Sequence, residues 1–581
     1  MSLLLETSSE IVETGRDPET LVVDHMADIQ YADHGTRRRA TGGTRALAVV
    51  AYIVAAMCLL PMLAVGLAAI TGGDTETITH LIDTVLPRYT MTTLILIVLV
   101  ATGTFAIGVG AAWLVTMTRF PGVRMLEVAL VLPLAFPAYV LAYAYTFVLD
   151  HPGIVQTTLR DVTGWGPRDY WFPEIRSTGG AAIMLILVLY PYVYLLARAA
   201  FLQQSAGAFL AARVLGNSAW SAFWKVSLPM ARPAIAGGVL LTVMETIADF
   251  GTVSYFGVQT FATGIYTSWF SMADRAAAAQ LALCLLGFAL FLAVIERTQR
   301  GRAKYHQASK SDMSMPPADL KGWKAGLALA LCLTPVFLGF ALPAMILFDM
   351  GLGSEQDLFS RRYVGFVRNS VTLAGTAAVV TVIAAISIGF YQRLRPGRKS
   401  GAAAYVARLG YAVPGGVIAV GLMVPFATFD NALDAWMRST FEYSTGLLVT
   451  GSIWLLVVAY MVRFLAAALG AYEGGQSTVH VNMDAAARSL GETPMGTLRR
   501  VHLPILTPSL LTALLIVFVD VMKELPATLI MRPFNFDTLA VQAHRLASDE
   551  RLEGAAVPSL VIVAVGLLPV ILICRQVGRR R

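Results

Sequence analysis

Apolar residues run in unbroken stretches of about 20 or more along most of this chain, separated by short polar or basic segments. A helix of about 20 residues crosses the ~30 Å hydrocarbon core of a bilayer. Read with a window of about 19 residues, the pattern predicts six spans near 46–72, 90–117, 125–149, 178–203, 231–256 and 277–296. It predicts six more near 323–350, 369–391, 402–427, 444–471, 505–531 and 556–575. The runs do not alternate apolar and polar positions, so a β-barrel is excluded. The expected fold class is all-α: a polytopic membrane protein with about 12 transmembrane helices.

Composition agrees. Of 581 residues, 56% are hydrophobic and only 14% charged, too few charges to cover a soluble protein of this size. The net charge of +7 does not indicate nucleic acid, because Lys and Arg cluster beside the spans, where they set topology. With the amino terminus inside, the inner loops carry Arg119 and Arg124, then Arg297, Arg300, Arg302 and Lys304, then Arg393, Arg395, Arg398 and Lys399, and finally Arg575 and Arg579–Arg581. Both termini are expected in the cytoplasm. Residues 1–45 read as a mobile tail, acid-rich (Glu6, Glu10, Glu13, Asp17) and then basic (Arg37–Arg39), without the pattern of a signal peptide. The polar stretch 301–322 reads as a linker between modules at 46–300 and 323–581. Cys58, Cys284, Cys332 and Cys574 lie far apart in or beside apolar runs and offer no metal-ligand spacing.

One motif occurs twice, 275 positions apart. Ala211-Ala212-Arg213-Val214-Leu215-Gly216 is followed by Leu228-Pro229 and Pro233; Ala486-Ala487-Arg488-Ser489-Leu490-Gly491 is followed by Leu503-Pro504 and Pro508. Ala favours helix, Gly at this place closes a helix in the left-handed conformation, and Pro is expected to break or kink the chain before the next span. Both copies fall on the cytoplasmic side. A repeat of the same sense with an even number of spans predicts two parallel six-helix halves.

The spacing of 275 extends into the apolar runs. Glu245 and Asp249 in span five correspond to Asp520 and Glu524 in span eleven, and Gly251 to Pro526. Each pair has i, i+4 spacing and shares a helix face. Ionisable residues inside spans are costly and point to function. Two readings stand: the acids line a central path, or they pair with cations and cap backbone where both helices break, with Lys523 placed to neutralise Glu524. Tyr255 joins the path candidates. Tyr266, Asp274, Asp537, His544, Asp549 and Glu550 lie near outer span ends, and the outer loop 150–178 carries Asp161, Trp165 and Trp171.

The duplicated loops resemble the coupling segment of binding-protein-dependent ABC importer permeases: Glu-Ala-Ala, three residues, Gly, then Leu-Pro. The acid position holds Leu210 and Ala485 here, with Asp484 one residue early. The stretches 250–266 and 523–540 resemble the ferric-iron permeases of that family, which fuse two modules in one chain. The resemblance implies the type I ABC importer transmembrane fold in the bacterial cytoplasmic (inner) membrane. It implies that Ala211, Ala212, Arg213, Gly216 and Pro229, with Asp484, Ala486, Ala487, Arg488, Gly491 and Pro504, meet two copies of a separate ABC ATPase. An extracytoplasmic binding protein, periplasmic or lipid-anchored, would deliver Fe3+, a hard cation that prefers oxygen ligands. No phosphate-binding Gly-x-x-x-x-Gly-Lys-Ser/Thr loop occurs, so ATP and Mg are expected on the partner, with no cofactor on this chain and no catalytic residues. Relatives carrying polyamines, phosphonates, thiamine or sulfate supply an alternative substrate. An ion-gradient-driven secondary transporter is a second alternative, and an intramembrane enzyme lacks any supporting residue pattern.

Overall fold

The structure, a computed structural model, describes residues 42–72, 79, 81–204, 206–302, 318–354, 356–357 and 359–579. Most of the expected tail and the stretch 303–317 of the expected linker lie outside the described residues. In the first half the helices are α1 (Gly42–Thr71), α2 (Leu86–Met117), α3 (Val123–Ala129), α4 (Ala138–Leu149), α5 (Ile154–Thr163) and α6 (Thr178–Gln203). They continue with α7 (Ala206–Val214), α8 (Leu228–Ala248), α9 (Gly251–Tyr255), α10 (Phe261–Phe270) and α11 (Arg275–Arg302). The second half has α12 (Trp323–Val336), α13 (Leu342–Leu352), α14 (Arg361–Leu394), α15 (Arg398–Leu409), α16 (Gly415–Phe441) and α17 (Ile453–Gln476). It ends with α18 (Val481–Ser489), α19 (Leu503–Met522), α20 (Pro526–Met531), α21 (Leu539–Ser548) and α22 (Leu552–Arg579). The starts of α7, α8 and α9 each precede those of α18, α19 and α20 by 275 residues, so the repeat in sequence is a repeat in structure.

Among the described residues eleven helices are long and apolar enough to cross a membrane, or twelve if the bent pair Val123–Ala135 and Ala138–Thr163 counts as one span. Six of them separate the two copies of the repeated motif, an even number that returns the chain to the same side.

The expected spans are corrected in several places. The span expected at 125–149 is not one straight helix. It bends by 91°, because Pro137 forces Phe136 into extended backbone (ψ 130°) and is itself extended (ψ 140°). Its counterpart, expected at 402–427, breaks likewise at Pro414 (ψ 146°) and then runs on to Phe441. Helices α8 and α19 stop at Ala248 and Met522, short of the span ends at 256 and 531 and at the breaks expected beside Gly251 and Pro526. The loop expected at 150–178 contains α5.

The halves are interlaced. Helix α1 packs against α14, α15 and α16 of the second half, while α12 touches α2 and α13 touches α4 of the first. Lipid tails are as apolar as Leu, so helices associate here by close packing rather than by hydrophobic burial. Gly421 shows how close: a Cβ there would sit 2.3 Å from the Pro61 carbonyl oxygen of α1. Within each half the tightest pairs are α2 with α6 and α14 with α17. A Cβ at Gly108 would meet Val193, and one at Gly389 would meet Tyr472. The one sheet among the described residues is a parallel pairing of Thr118–Arg119 with Ala318–Asp319, which ties the end of the expected linker to the first half.

Candidate functional site

Each copy of the repeated motif folds as an elbow. Helix α7 closes through Gly216 (φ 88°) and α18 through Gly491 (φ 82°). Behind each glycine the same pair of turn hydrogen bonds forms: Asn217 N to Ala212 O and Gly216 N to Arg213 O, then Glu492 N to Ala487 O and Gly491 N to Arg488 O. These satisfy the carbonyls left open at a helix end. Ala212 and Ala487 are buried against the bundle, while Ala211, Ala486, Arg213 and Arg488 are exposed. Val214, Leu215 and Leu490 are more than four-fifths exposed, a small apolar surface on each elbow.

Of the two outcomes expected at Pro229 and Pro504, a break of the chain does not occur. They stand in the first turn of α8 and α19, which continue without interruption from the five-residue π-turns Phe223–Ser227 and Leu498–His502. The wider turn lets Leu228 N bond to Phe223 O and Leu503 N to Leu498 O. A proline therefore follows without the usual clash against the preceding carbonyl. Asp484, expected to face a partner, has both carboxylate oxygens engaged within the chain, one by Arg393 and one by His502.

The four intramembrane acids come together. Glu245, Asp249, Asp520 and Glu524 line one cavity of about 160 Å³ between the halves, with Arg463, Lys523, Tyr139, Tyr192 and Tyr411. Asp249 accepts from Thr252 N (3.1 Å), Val253 N (3.2 Å) and Thr252 Oγ1 (3.1 Å). Glu524 does the same for Ala527 N (3.0 Å), Thr528 N (3.2 Å) and Thr528 Oγ1 (2.9 Å). These two acids thus cap the restarted helices α9 and α20, where free N–H groups and the helix dipole favour a carboxylate.

The other two acids lie one turn earlier. Lys523 Nζ sits 2.9 Å from Asp520 Oδ1, so its partner is Asp520 and not Glu524 as expected. Glu524 is instead faced by Arg463 of α17, with Nη1 at 3.7 Å from Oε1. Glu245 has no cation within ion-pair distance among the described residues; Tyr411, across the junction of the halves, donates to its Oε1 at 3.1 Å. Four carboxylates and two cations leave the lining formally negative. Arg463 was missed in the sequence, although a lone Arg inside the apolar run 444–471 is the kind of signal that marked the acids. Tyr411 carried no such signal.

Among the described residues no group of three or more His, Cys, Asp or Glu side chains is placed to hold a metal ion.

Tyr255 lies outside this cavity. Its ring packs on Tyr143, 4.7 Å between centroids, and under the guanidinium of Arg176 at 5.3 Å. Arg176 clamps the two halves on the side opposite the elbows. It donates to Glu550 Oε1 (2.7 Å) and Oε2 (2.8 Å) and to Asp150 Oδ2 (3.0 Å). The hydrogen bonds from Arg176 hold the Glu550 carboxyl below the usual carboxylate range. Asp549 and Glu550 border a second cavity of about 850 Å³ on this side. His544 Nδ1 meets Tyr143 OH at 3.1 Å, Asp537 pairs with Arg532 and Arg545, and Asp274 caps Ala277 N at 2.9 Å. Tyr266 packs on Phe250 and Phe270. Trp165 stacks on Tyr170, while Trp171 is 86% exposed.

Residues 105–302 and 381–581 match the profile of the binding-protein-dependent transport system inner membrane component. The Fe(3+)-transport system permease protein FbpB 2 of Haemophilus influenzae is 25% identical over 534 residues, covering 91% of this chain and 97% of that protein. The ferric transport system permease protein FbpB of Actinobacillus pleuropneumoniae is 24% identical over 76% of this chain and 64% of its own length. The molybdenum transport system permease protein ModB of Escherichia coli matches only 34% of this chain, at 26% identity. With two matched segments that together span well over half its length, and with the helical, interlaced architecture described above, this chain belongs to the family of binding-protein-dependent transport system inner membrane components.

Proposed function

We propose that this chain is the fused two-module membrane subunit of an ATP-driven importer for ferric iron. An extracytoplasmic binding protein delivers the ion, and two copies of a separate ATPase engage the elbows at 206–222 and 481–497. The reading places both termini and both elbows in the cytoplasm. It divides the chain into a tail (1–45), two modules (46–300 and 323–581) and a linker (301–322). The observation that carries it is a cavity at the junction of the halves, lined by four carboxylates and two cations. An excess of anionic oxygen favours a hard cation over sulfate, molybdate or phosphonate. A relative that matches nearly end to end is named as an Fe(3+)-transport system permease protein.

In this scheme Glu245, Asp249, Asp520 and Glu524 border the substrate path, and alternating access is a rocking of one half against the other. Opening outward requires release of the Arg176–Glu550 clamp. Uptake of radiolabelled ferric iron in cells lacking and then regaining the chain tests the assignment. Restored uptake that stops on ATP depletion with the ion gradient clamped is expected. Uptake that persists under those conditions assigns the chain to gradient-driven transport instead.

The elbows give a separate prediction. A Cβ at Gly216 or Gly491 would meet nothing within 4 Å, so a substitution there acts through backbone strain alone. A β-branched residue at these positive φ values costs about 1–2 kcal/mol. Gly216→Val and Gly491→Val are each expected to lower iron carried per ATP hydrolysed several-fold while the chain still folds. An unchanged ratio in both variants contradicts the coupling role.

A further inference from the structure

The two elbows are fastened to their bundles by different chemistry. In the second, Arg393, at the end of α14, donates from Nε to Asp484 Oδ2 at 2.7 Å. His502 Nε2, in the π-turn that opens α19, lies 2.6 Å from Asp484 Oδ1, and only the imidazole can be the donor there. Arg393 Nη2 also donates to Val479 O at 2.8 Å, just before α18. His502 is fully buried, and the side chains of Asp484 and Arg393 are 18% and 14% exposed. Burial opposes the charge on Asp484, yet Arg393 and His502 hold its carboxyl below the usual range. One carboxylate on the elbow is therefore bound at once to α14 and to the root of α19.

Among the described residues the first elbow has no charged equivalent; Gln204, just before α7, donates from Nε2 to Ser227 O at 2.8 Å. The residues 275 positions before Asp484, His502 and Arg393 are Phe209, Ser227 and Thr118. Phe209 instead approaches Trp113, 6.1 Å between ring centroids, and Trp113 also meets Phe201 (5.6 Å) and Phe223 (4.4 Å). Among the described residues no ion pair ties α7 to its bundle. Aromatic pairs add only modestly to their burial and involve no ion pair. Charge-assisted hydrogen bonds from two sides fix both distance and direction.

We propose that Asp484 is a positioning residue, a strut that carries movement of the second elbow into α14 and α19 together, so that the two motor contacts are mechanically unequal. The inference rests on the coupling reading above. It assigns the acid of the second motif to the chain's own interior rather than to the partner.

The test uses two pairs of spin labels related by the repeat, in a background without the native cysteines: Leu490→Cys with Lys399→Cys, and Leu215→Cys with Arg124→Cys. All four positions are exposed. Distance distributions are recorded by pulsed electron resonance on the chain alone. In the unaltered chain the second-elbow distribution is expected to be the narrower. Asp484→Asn is expected to widen it at least twofold and to leave the first-elbow distribution unchanged; Asp484→Glu restores most of the width. Arg393→Lys keeps the charge but loses the forked geometry, and it is expected to widen the second elbow as Asp484→Asn does. In the complete importer purified from native membranes and reconstituted, Asp484→Asn is expected to lower iron carried per ATP hydrolysed at least threefold. Unwidened distributions in Asp484→Asn, or in Arg393→Lys if the former does not accumulate, overturn the strut, and so does an unchanged iron-to-ATP ratio. Failure of the coupling reading looks different: no ATPase co-purifies with the unaltered chain, while the distances still decide whether the strut exists.

Discussion

Glu245→Gln is expected to cut ferric-iron uptake at least tenfold without lowering the amount of folded protein in the membrane. Glu245 is the one acid of the four with neither a cation nor a helix end to hold, and its hydrogen bond is to Tyr411 OH at 3.1 Å. Gln has the same shape and keeps an acceptor for that hydroxyl, so folding has little reason to change. The negative charge is lost. At 4 Å two unit charges interact by about 4 kcal/mol at an effective dielectric of ~20. A tenfold loss needs only about 1.4 kcal/mol, so the expected effect is a lower bound for an ion that passes close to this carboxylate. Asp249→Asn is a useful contrast, because Asn still caps α9 and only the charge differs. Uptake that is unchanged in Glu245→Gln would place the ion's route elsewhere.

The second large effect concerns folding. Arg463→Leu is expected to reduce the yield of monodisperse protein severely, and the double substitution Arg463→Leu with Glu524→Gln to recover most of it. The Glu524 side chain is 2% exposed and Arg463 14%. Removing one partner of a buried ion pair costs about 3–5 kcal/mol, because it strands the other charge, whereas removing both charges is often nearly neutral. Gln at 524 still offers an acceptor to the Ala527 and Thr528 amides, so α20 keeps part of its cap. Gel-filtration yield and thermal unfolding of the purified variants measure this. A double variant no better than Arg463→Leu would show that Arg463 matters for something other than Glu524.

How much could be read in advance depended on the range of the interaction. The elbows were legible because helix closure at Gly216 and Gly491 depends on a few consecutive residues. The breaks after Ala248 and Met522 were legible because an acid followed by Gly251 or Pro526, repeated at one spacing, marks a restarted helix. At Pro229 and Pro504 the local signal reached only a break or a kink: proline disfavours a helix locally, and the π-turn that accommodates it is seen only in the backbone hydrogen bonds. The straight span expected at 125–149 failed for the opposite reason. Hydropathy averages over about 19 residues and does not register one proline at 137.

Composition and periodicity by themselves determined that this chain lies in a membrane, that it is built twice, and where each half turns back. Those properties depend on solvent preference and on torsion angles of neighbouring residues, both of which are written locally. Only the tertiary structure decided that Lys523 belongs to Asp520, that Arg463 faces Glu524, that Tyr411 reaches Glu245 across 166 residues of chain, and that Asp484 turns inward to Arg393 and His502. A charge in a low-dielectric interior binds whichever opposite group the packing brings within a few ångströms, and separation along the sequence does not specify that distance.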